Sequence, residues 1–326
     1  MKLPFLFSFF NPDLRRQARE NAKAGKSLDL LSDFVFKALL TANDEDSKTA
    51  LRCLLSACIH RPVESLSIRN SELLPEYLTG KTIRLDIHLV FNDGEQADIE
   101  IQVKKTEDDI KVRAMVYAAY LLSSQAKQGK YYKTISRVYQ IFFLNFVLFP
   151  ESDKIPRRYT MREEDEHDEL SEVVKVIFYE LPKLKRIADK YFSGEITLKD
   201  LPADQKWGIY FRYRNDKRMA GLVEELCRED GIMQAERMLK KISRTEEQWA
   251  RALFREKAAM DYRSEMYASR EAGKEEVEAK YKPILEENAR AIEENARAIG
   301  EKDRVIDEKD RENQELRRKL REAGIE

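Results

Sequence analysis

The chain has 326 residues, of which 42% are hydrophobic and 37% are charged, and its formal net charge at pH 7 is −1. This length suits one large domain with an extension, or two domains. The charged share exceeds the roughly 25% of an average globular domain, which indicates that part of the chain is solvated helix. A net charge near zero excludes a global basic field, so any contact with nucleic acid has to come from local patches.

The cysteines and histidines point away from disulfides and from zinc. Cys53, Cys58 and Cys227 form neither a paired framework nor a CxxC motif, which is typical of a protein in a reducing compartment. The three histidines lack the spacing of zinc ligands. We therefore expect a cytoplasmic location.

The first ten residues, MKLPFLFSFF, are apolar, but the run is shorter than the about 20 residues that cross a bilayer. It has no small-residue cleavage site, and Asn-Pro-Asp follows at once, which argues against a signal peptide. Residues 15–26 are polar and predict a tether. We predict an N-terminal arm at 1–26 that packs on the domain or on a partner, and no membrane contact.

Two helices precede the first strand signals. Inside the first, Asp33 and Lys37 are four residues apart and share a face. They form either an ordinary ion pair, worth a few tenths of a kcal/mol, or a functional pair laid beside a sheet. The elements predicted in this part are a helix from 27 to 39, a helix at 48–59, a strand at 63–68 and a loop at 70–80.

Residues 81–104, KTIRLDIHLVFNDGEQADIEIQVK, show the strict alternation of two strands that each bury one face. Between them, Asn92-Asp93-Gly94 predicts a tight turn with glycine where a positive φ is needed. A three-residue loop that ends in glycine pairs Phe91 with Glu95. Counting back from that pair, the expected apolar pairs are Leu89 with Ala97, Ile87 with Ile99 and Leu85 with Ile101.

The same register places two acidic side chains opposite each other on the polar face of the hairpin. Asp86 lies across from Glu100, and directly opposite side chains start roughly 5 Å apart at Cβ. Two carboxylates at that distance repel each other unless a positive group lies between them. The alternative is an ordinary hairpin with a solvated polar face.

Beyond the hairpin, the sequence predicts a helix at 108–128 and strands at 135–149 and 173–181. The run at 135–149, ISRVYQIFFLNFVLF, is the most apolar stretch of the chain and predicts a strand buried on both faces. Arg113 and Tyr117 share one face of the helix, either as plain helix surface or as part of a site.

The last third of the chain predicts charged helices without a strand. Residues 207–218, WGIYFRYRNDKR, mix aromatic and cationic side chains, which is typical of a nucleic-acid contact or of a helix with snorkelling arginines. Further on, apolar residues recur every seven positions, which predicts a left-handed coiled coil or else a single helix that never pairs. This repeat consists of Leu285, Ile292, Ile299 and Ile306.

The hairpin resembles a known family. An Asp on one strand followed by Glu-x-Lys on the next is the core motif of the PD-(D/E)XK nucleases. Here Asp86, the Asp93-Gly94 turn and Ile99-Glu100-Ile101-Gln102 resemble the recombination-promoting nuclease/transposase (Rpn) branch. Gln102 stands where most PD-(D/E)XK enzymes have lysine, as is usual in that branch. The resemblance extends to Asp33-x-x-Phe36-Lys37, Arg113-x-x-x-Tyr117 and Glu180-Leu181-Pro182-Lys183.

This resemblance implies an α/β fold with the PD-(D/E)XK (restriction-endonuclease-like) core, a mixed β-sheet flanked by helices in the order α-β-β-β-α-β. It also implies a DNA endonuclease that hydrolyses phosphodiester bonds with Mg²⁺ or Mn²⁺ and takes part in DNA recombination. By the resemblance, Asp86 and Glu100 bind the metal, whereas Gln102 orients the attacking water. Asp33 and Lys37 complete the expected catalytic set.

We therefore expect DNA as the partner, and weak homodimers through the C-terminal helix. Lys104 lies two residues further on the same face of the strand and Lys37 approaches from the helix, so we expect one of them to replace the charge that Gln102 lacks. The alternatives are a catalytically inactive DNA-binding or regulatory module, or a coiled-coil assembly protein. The predicted parts are an N-terminal arm at 1–26, a nuclease-like domain at 27–218, a charged helical region at 219–274 and a C-terminal coiled-coil helix at 275–326.

Overall fold

A computed structural model describes residues 12–69, 72–73, 83–105, 109–322 and 324. The predicted apolar arm at 1–10 and most of the predicted loop at 70–80 lie outside these residues. The chain divides into a compact unit that ends at Glu256 and a second unit that begins at Lys257. The first of these contains the sheet and the helices that pack on it.

In the described chain, six strands form one mixed sheet in the order β1-β4-β5-β6-β8-β7, and β2 pairs with β3 apart from it. The central strands β5, β6 and β8 are parallel, and the outer pairings are antiparallel. The strands are β1 (Leu66–Ile68), β2 (Glu72–Leu73), β3 (Ile83–Arg84), β4 (Ile87–Phe91), β5 (Glu95–Gln102), β6 (Val138–Leu144), β7 (Arg157–Arg162) and β8 (Glu169–Glu180).

Helices flank this sheet, so the predicted α/β class with a long C-terminal helix is confirmed. Side chains cap two of the helices where backbone N–H groups would otherwise lack partners: Asp44 accepts from Asp46 N, and Asp109 accepts from Lys111 N. The helices are α1 (Pro12–Lys23), α2 (Asp33–Thr41), α3 (Glu45–Ile59), α4 (Ile110–Ser123), α5 (Leu184–Phe192), α6 (Ala203–Tyr213), α7 (Ala220–Leu226), α8 (Ile232–Ser243) and α9 (Glu246–Glu322).

None of the helices within the described ranges is both long enough and apolar enough to cross a membrane. The longest, α9, has 77 residues, but charged side chains occur throughout its length.

The hairpin of β4 and β5 has the predicted register as far as Ile87. Phe91 pairs with Glu95, and the ladder continues to the pair of Ile87 and Ile99. The prediction of one unbroken strand from 83 to 91 is wrong, because the ladder stops there. Leu85 and Asp86 belong to no strand, and Asp86 pairs there with Lys37 of α2.

The interruption also changes the face on which the preceding apolar residue lies. Leu85 packs with Leu121 of α4 and Val138 of β6, whereas Ile87 belongs to the main core on the other side of the sheet. Strict alternation would have put Leu85 and Ile87 on one face. The expected pairing of Leu85 with Ile101 is therefore absent from the described ladder.

Two apolar layers cover the two faces of the sheet. All seven residues of β6 are buried, which confirms the prediction of a strand covered on both sides. On one face, alternate residues of the central strands pack against α2, α3, α6 and α8. On the other face, Ala114 and Ala118 of α4 pack against Phe142 and Phe178.

One prediction about a helical segment is wrong, and one of two alternatives for another segment is excluded. Residues 15–23 of the tether expected at 15–26 belong to α1, which buries Ala18 in the main core. The aromatic side chains of 207–213 cannot stack on nucleic acid, because α6 turns them into the core. These buried residues are Trp207, Tyr210, Phe211 and Tyr213.

The last strand of the sheet was only partly foreseen. β8 begins at Glu169 rather than 173, and it forms an antiparallel pair with the polar strand β7. Polar residues dominate β7, RRYTMR, so it lacks the apolar alternation by which strands are recognised.

The packed unit continues beyond residue 218. Leu222 and Leu226 of α7 and Leu239 of α8 are completely buried in the same core as the sheet. The proposed division of the chain at 218 and 274 stays a prediction about functional parts, and packing joins 219–256 to the sheet domain.

Candidate active site

Three polar side chains of β5 share the face of the sheet that α4 covers. Asp98, Glu100 and Gln102 alternate with the core residues Ile99 and Ile101, as the period of a strand requires. Asp98 is completely buried, Glu100 is 4% exposed, and Gln102 is partly exposed. The carboxylates therefore lie inside the domain, and the polar row opens to solvent toward the end of the strand.

Arg113 of α4 binds two members of this row. Its Nη2 lies 2.9 Å from Oε1 of Gln102 and 3.3 Å from Oε2 of Glu100. The guanidinium also lies against the rings of Tyr117 and Phe142, 5.9 and 5.8 Å from their centroids. The sequence left Arg113 either on a plain helix surface or in a site, and these contacts favour the second alternative.

Asp86 enters the site from the interrupted strand and meets a cation from α2. Nζ of Lys37 lies 2.7 Å from Oδ1 of Asp86, and the two side chains are 33% and 21% exposed. Burial raises the pKa of Asp86, and the charge and hydrogen bond of Lys37 oppose that rise. Lys37 therefore forms its ion pair with Asp86, next to the sheet, rather than with Asp33 of its own helix.

The electrostatics of β5 are those of crowded, buried acids. Burial raises the pKa of Glu100 well above its usual range, and the negative charges of Asp98 and Asp86 add to the rise, whereas Arg113 opposes it. Burial likewise raises the pKa of Asp98, which Gln140 partly offsets. A site with several acids and few cations favours a bound cation or a bound proton.

Two of the predicted residues contribute less directly. Asp33 is exposed, and its Oδ1 accepts from the backbone N of Phe34, although its charge still raises the pKa of Asp86. Lys104 is exposed, and its carbonyl oxygen accepts from Nε2 of Gln102 at 3.0 Å. The cation in contact with Gln102 is therefore Arg113.

Sequence reasoning missed the partners of Glu100 on its own face. Asp98 lies two residues before Glu100 on the same face of β5. Gln140 of β6 is the direct neighbour of Asp98, and its Nε2 donates to Oδ2 of Asp98 at 2.6 Å. Both side chains are fully buried. A signal was available, because Gln140 is the polar residue that interrupts the apolar stretch YQIFFL.

The donor chemistry of these residues fits a hard divalent cation. Mg²⁺ prefers carboxylate oxygens and keeps several waters, so it needs only one or two carboxylates from the protein. Oε1 of Glu100 and Oδ1 of Asp98 are buried and receive no hydrogen bond from any described residue. In the described ranges, no group of three or more His, Cys, Asp or Glu side chains is arranged as a metal cage. Two-carboxylate binding is the mode that the residues permit.

The Glu180-Leu181-Pro182-Lys183 segment has a structural explanation. The buried Oε1 of Glu180 accepts from the backbone N of Leu148 and of Phe149 at 2.6 and 2.8 Å. Nζ of Lys183 binds Oε2 of Glu180 and the carbonyl oxygen of Phe149. These bonds fix the loop after β6 to the end of β8.

Comparison with known proteins agrees with this architecture. A search of curated proteins and a search of solved structures each return no match. A family profile described as PD-(D/E)XK nuclease family transposase matches residues 30–269, which include the whole sheet, the candidate site and the start of α9. The chain therefore belongs to the PD-(D/E)XK nuclease family transposases.

Proposed function

We propose that this protein is a metal-dependent DNA endonuclease that uses Mg²⁺ or Mn²⁺ to hydrolyse phosphodiester bonds, with a role in DNA recombination. The observation that supports this proposal is two acid–cation pairs at the same end of the hairpin, with Asp86 close enough to Glu100 for its charge to raise the pKa of that carboxyl. Lys37 reaches Asp86 from α2, and Arg113 reaches Glu100 from α4. Family membership gives the nuclease or transposase class, and these four side chains give the proposed chemistry.

In this proposal Asp86 and Glu100 are the metal ligands. When bound, the ion would polarise the scissile phosphate and lower the pKa of the attacking water. The pKa values of both carboxyls are raised by burial, so the metal-free site holds protons more readily than an exposed pair would. Binding of a cation therefore competes with protons for the same oxygens.

The side chains of the protein would position the substrate and offset its charge. Lys37 contacts Asp86 and Arg113 contacts Glu100, and both cations carry donors suited to phosphate oxygens. Gln102 is held at both ends, because its Nε2 donates to Lys104 O and its Oε1 accepts from Arg113. An amide oxygen has a second lone pair, which would orient a water toward the phosphate.

Arg113 is the residue that would replace the charge of the missing lysine. A neutral amide at 102 can orient but cannot neutralise transition-state charge. Arg113 Nη2 lies within hydrogen-bond distance of that amide and carries the positive charge of a guanidinium group. Lys37 provides a second positive group next to Asp86.

Nicking of supercoiled plasmid by the full chain tests the proposal. The protein should convert supercoiled DNA to open circles in Mg²⁺ or Mn²⁺ and not in EDTA, and Asp86→Ala and Glu100→Gln should abolish the conversion. Asp93→Asn is the matched control, since it removes one charge from the exposed turn of the same hairpin and leaves the site intact. A protein that binds the plasmid without cutting it would instead be the inactive DNA-binding module.

We further propose a cytoplasmic protein that forms weak homodimers through the second half of α9. The support is a row of exposed apolar side chains spaced seven residues apart in one continuous helix. The exposed fractions are 66% for Leu285, 69% for Ile292, 60% for Ile299 and 56% for Ile306. A second chain would cover this row, and two joined nuclease domains would reach both strands of a duplex.

A further inference from the structure

A groove of about 380 Å³ runs between α2 and the first turns of α9. It lies wholly within the compact unit that ends at Glu256. Its floor is apolar, from Phe34, Ala38 and Ala42, and its rim carries three cations and two neutral polar residues. The rim residues are Lys37, Thr41, Gln248, Arg251 and Arg255.

The start of α9 is fixed to the domain, so its side of the groove is a defined surface. Trp249 is buried, and its Nε1 donates to the carbonyl oxygen of Ser243 at 2.7 Å. Glu246 binds Arg19 of α1 at 3.2 Å. These contacts set the rotation of α9 about its axis and therefore the direction in which its next residues point.

Arg251 and Arg255 are four residues apart and face α2 together. The guanidinium of Arg255 lies over the ring of Phe34, 4.8 Å from its centroid. Arg251 binds Glu247 one turn earlier on α9. The residues that line the groove include three cations and no acid, and two of these cations are paired at its margin, Arg251 with Glu247 and Lys37 with Asp86.

Lys37 belongs both to the groove and to the candidate active site. It lines the groove, and its Nζ also lies 2.7 Å from Oδ1 of Asp86. A polyanion that follows the groove would therefore reach Lys37 and, next to it, the proposed metal ligands. The whole chain has a net charge of −1, so this local patch is the kind of surface that nucleic-acid binding would require.

We propose that this groove binds the phosphate backbone of DNA and guides it to Asp86, with Arg251 and Arg255 as phosphate-binding residues. This inference rests on the proposed nuclease function, since it takes DNA as the ligand. The chemistry that favours DNA is the pair of guanidinium groups beside Lys37, spaced along a groove rather than gathered around one point. It assigns a substrate-binding role to α9, a helix that lies outside the sheet and its immediate helices.

Salt-dependent binding of a fluorescent duplex to the full chain tests the groove. Fluorescence anisotropy in EDTA measures binding without cleavage, for wild type, Arg251→Gln, Arg255→Gln and the double variant. Each lost phosphate contact should lower the slope of log K against log salt by about 1, and the double variant should bind about tenfold more weakly. Arg255→Lys keeps the charge and should keep most of the slope.

Arg186→Gln is the control, because Arg186 lies on α5, pairs with Asp153 and does not line the groove. The inference is overturned if the double variant matches wild type and Arg186→Gln in affinity and slope, or if wild type binds no duplex at low salt. Equal melting temperatures among the variants exclude misfolding as the cause of a loss.

The plasmid assay keeps this result separate from the nuclease proposal. If the double variant binds duplex normally and wild type shows Mg²⁺-dependent nicking that needs Asp86, the nuclease proposal stands and the groove proposal is wrong. If the double variant loses binding and wild type does not nick the plasmid, the groove proposal stands and the nuclease proposal is wrong.

Discussion

Arg113 connects α4 to the two residues of β5 that lie nearest the open end of the polar row. Its contacts with Glu100 and Gln102 put a permanent cation where the usual motif has a lysine on the strand itself. The positive charge comes from a neighbouring helix. The site therefore contains a cation even though the strand motif is Glu-x-Gln instead of Glu-x-Lys. The chemistry at residue scale therefore depends on α4 as much as on the hairpin.

Replacing Arg113 should slow the cleavage step. In Arg113→Gln we expect single-turnover cleavage in Mg²⁺ to slow by about 100-fold, because the variant lacks a cation beside the developing phosphate charge. Arg113→Lys should recover part of the rate, since it keeps the charge and loses the planar fork. A rate for Arg113→Gln within a few-fold of wild type would contradict this role.

The buried hydrogen bond between Gln140 and Asp98 should contribute to the free energy of unfolding. In the metal-free protein, Gln140→Leu should lower the free energy of unfolding by about 1–3 kcal/mol, because Oδ2 of Asp98 loses its donor in a dry site. A double-mutant cycle with Asp98→Ala, which removes the acceptor, isolates the pair by urea denaturation. If Gln140→Leu costs the same in both backgrounds, the bond contributes nothing.

At the scale of elements, the hairpin and β6 were predictable because their signals are local. The glycine-ended turn fixes the register, and a run of apolar residues fixes a fully buried strand. The break at Leu85 and Asp86 was not predictable, since Asp86 pairs there with Lys37 of α2, a residue far away in the sequence. The alternation of the sequence continues through the break and hides it.

Arg214 and Glu236 join α6 to α8, and their charges could not be assigned a partner from sequence. The Nε and Nη2 atoms of Arg214 lie 2.5 and 2.6 Å from the two carboxylate oxygens of Glu236, and Tyr210 OH lies 3.2 Å from one of them. The sequence left residues 207–218, which include Arg214, either as a nucleic-acid contact or as a helix with snorkelling arginines. The bidentate bond shows instead that Arg214 holds two helices together.

This pair predicts a pH-dependent stability. Burial by itself raises the pKa of Glu236, but Arg214 and Lys240 outweigh it and hold the pKa below the usual 4.5. The charged pair therefore stabilises the fold above about pH 4.5, and the contribution is lost as pH falls through the lower, folded pKa. We expect Glu236→Gln to cost about 2–4 kcal/mol at pH 7, because it leaves Arg214 partly buried without its counter-charge.

Chemical denaturation at pH 7 and at pH 3 checks this prediction. The difference between wild type and Glu236→Gln should shrink at the lower pH. Arg218→Gln is a suitable control, since Arg218 is exposed and pairs with Asp216 at the surface. An equal cost of Glu236→Gln at both pH values would show that the charge of Glu236 is not what stabilises the helices.

For the whole molecule, the heptad repeat of α9 predicts association of chains. Removal of the chain after Asp261 should lower the mass measured by light scattering to that of a monomer, because it removes the exposed row from Leu285 to Ile306. The shortened protein keeps Arg251 and Arg255 and should still nick plasmid in Mg²⁺. A full chain that is already monomeric at tens of micromolar would make the repeat a spacer rather than a pairing surface.

The measurement that tests the account most directly is the rate of plasmid nicking against Mg²⁺ concentration, with wild type, Glu100→Gln and Asp93→Asn side by side. We predict a rate that rises and saturates with Mg²⁺ for wild type and Asp93→Asn, and a rate at least about 1,000-fold lower for Glu100→Gln, since a metal ligand is lost. Cleavage that is independent of metal, or that persists in Glu100→Gln, would contradict the assignment of the active site.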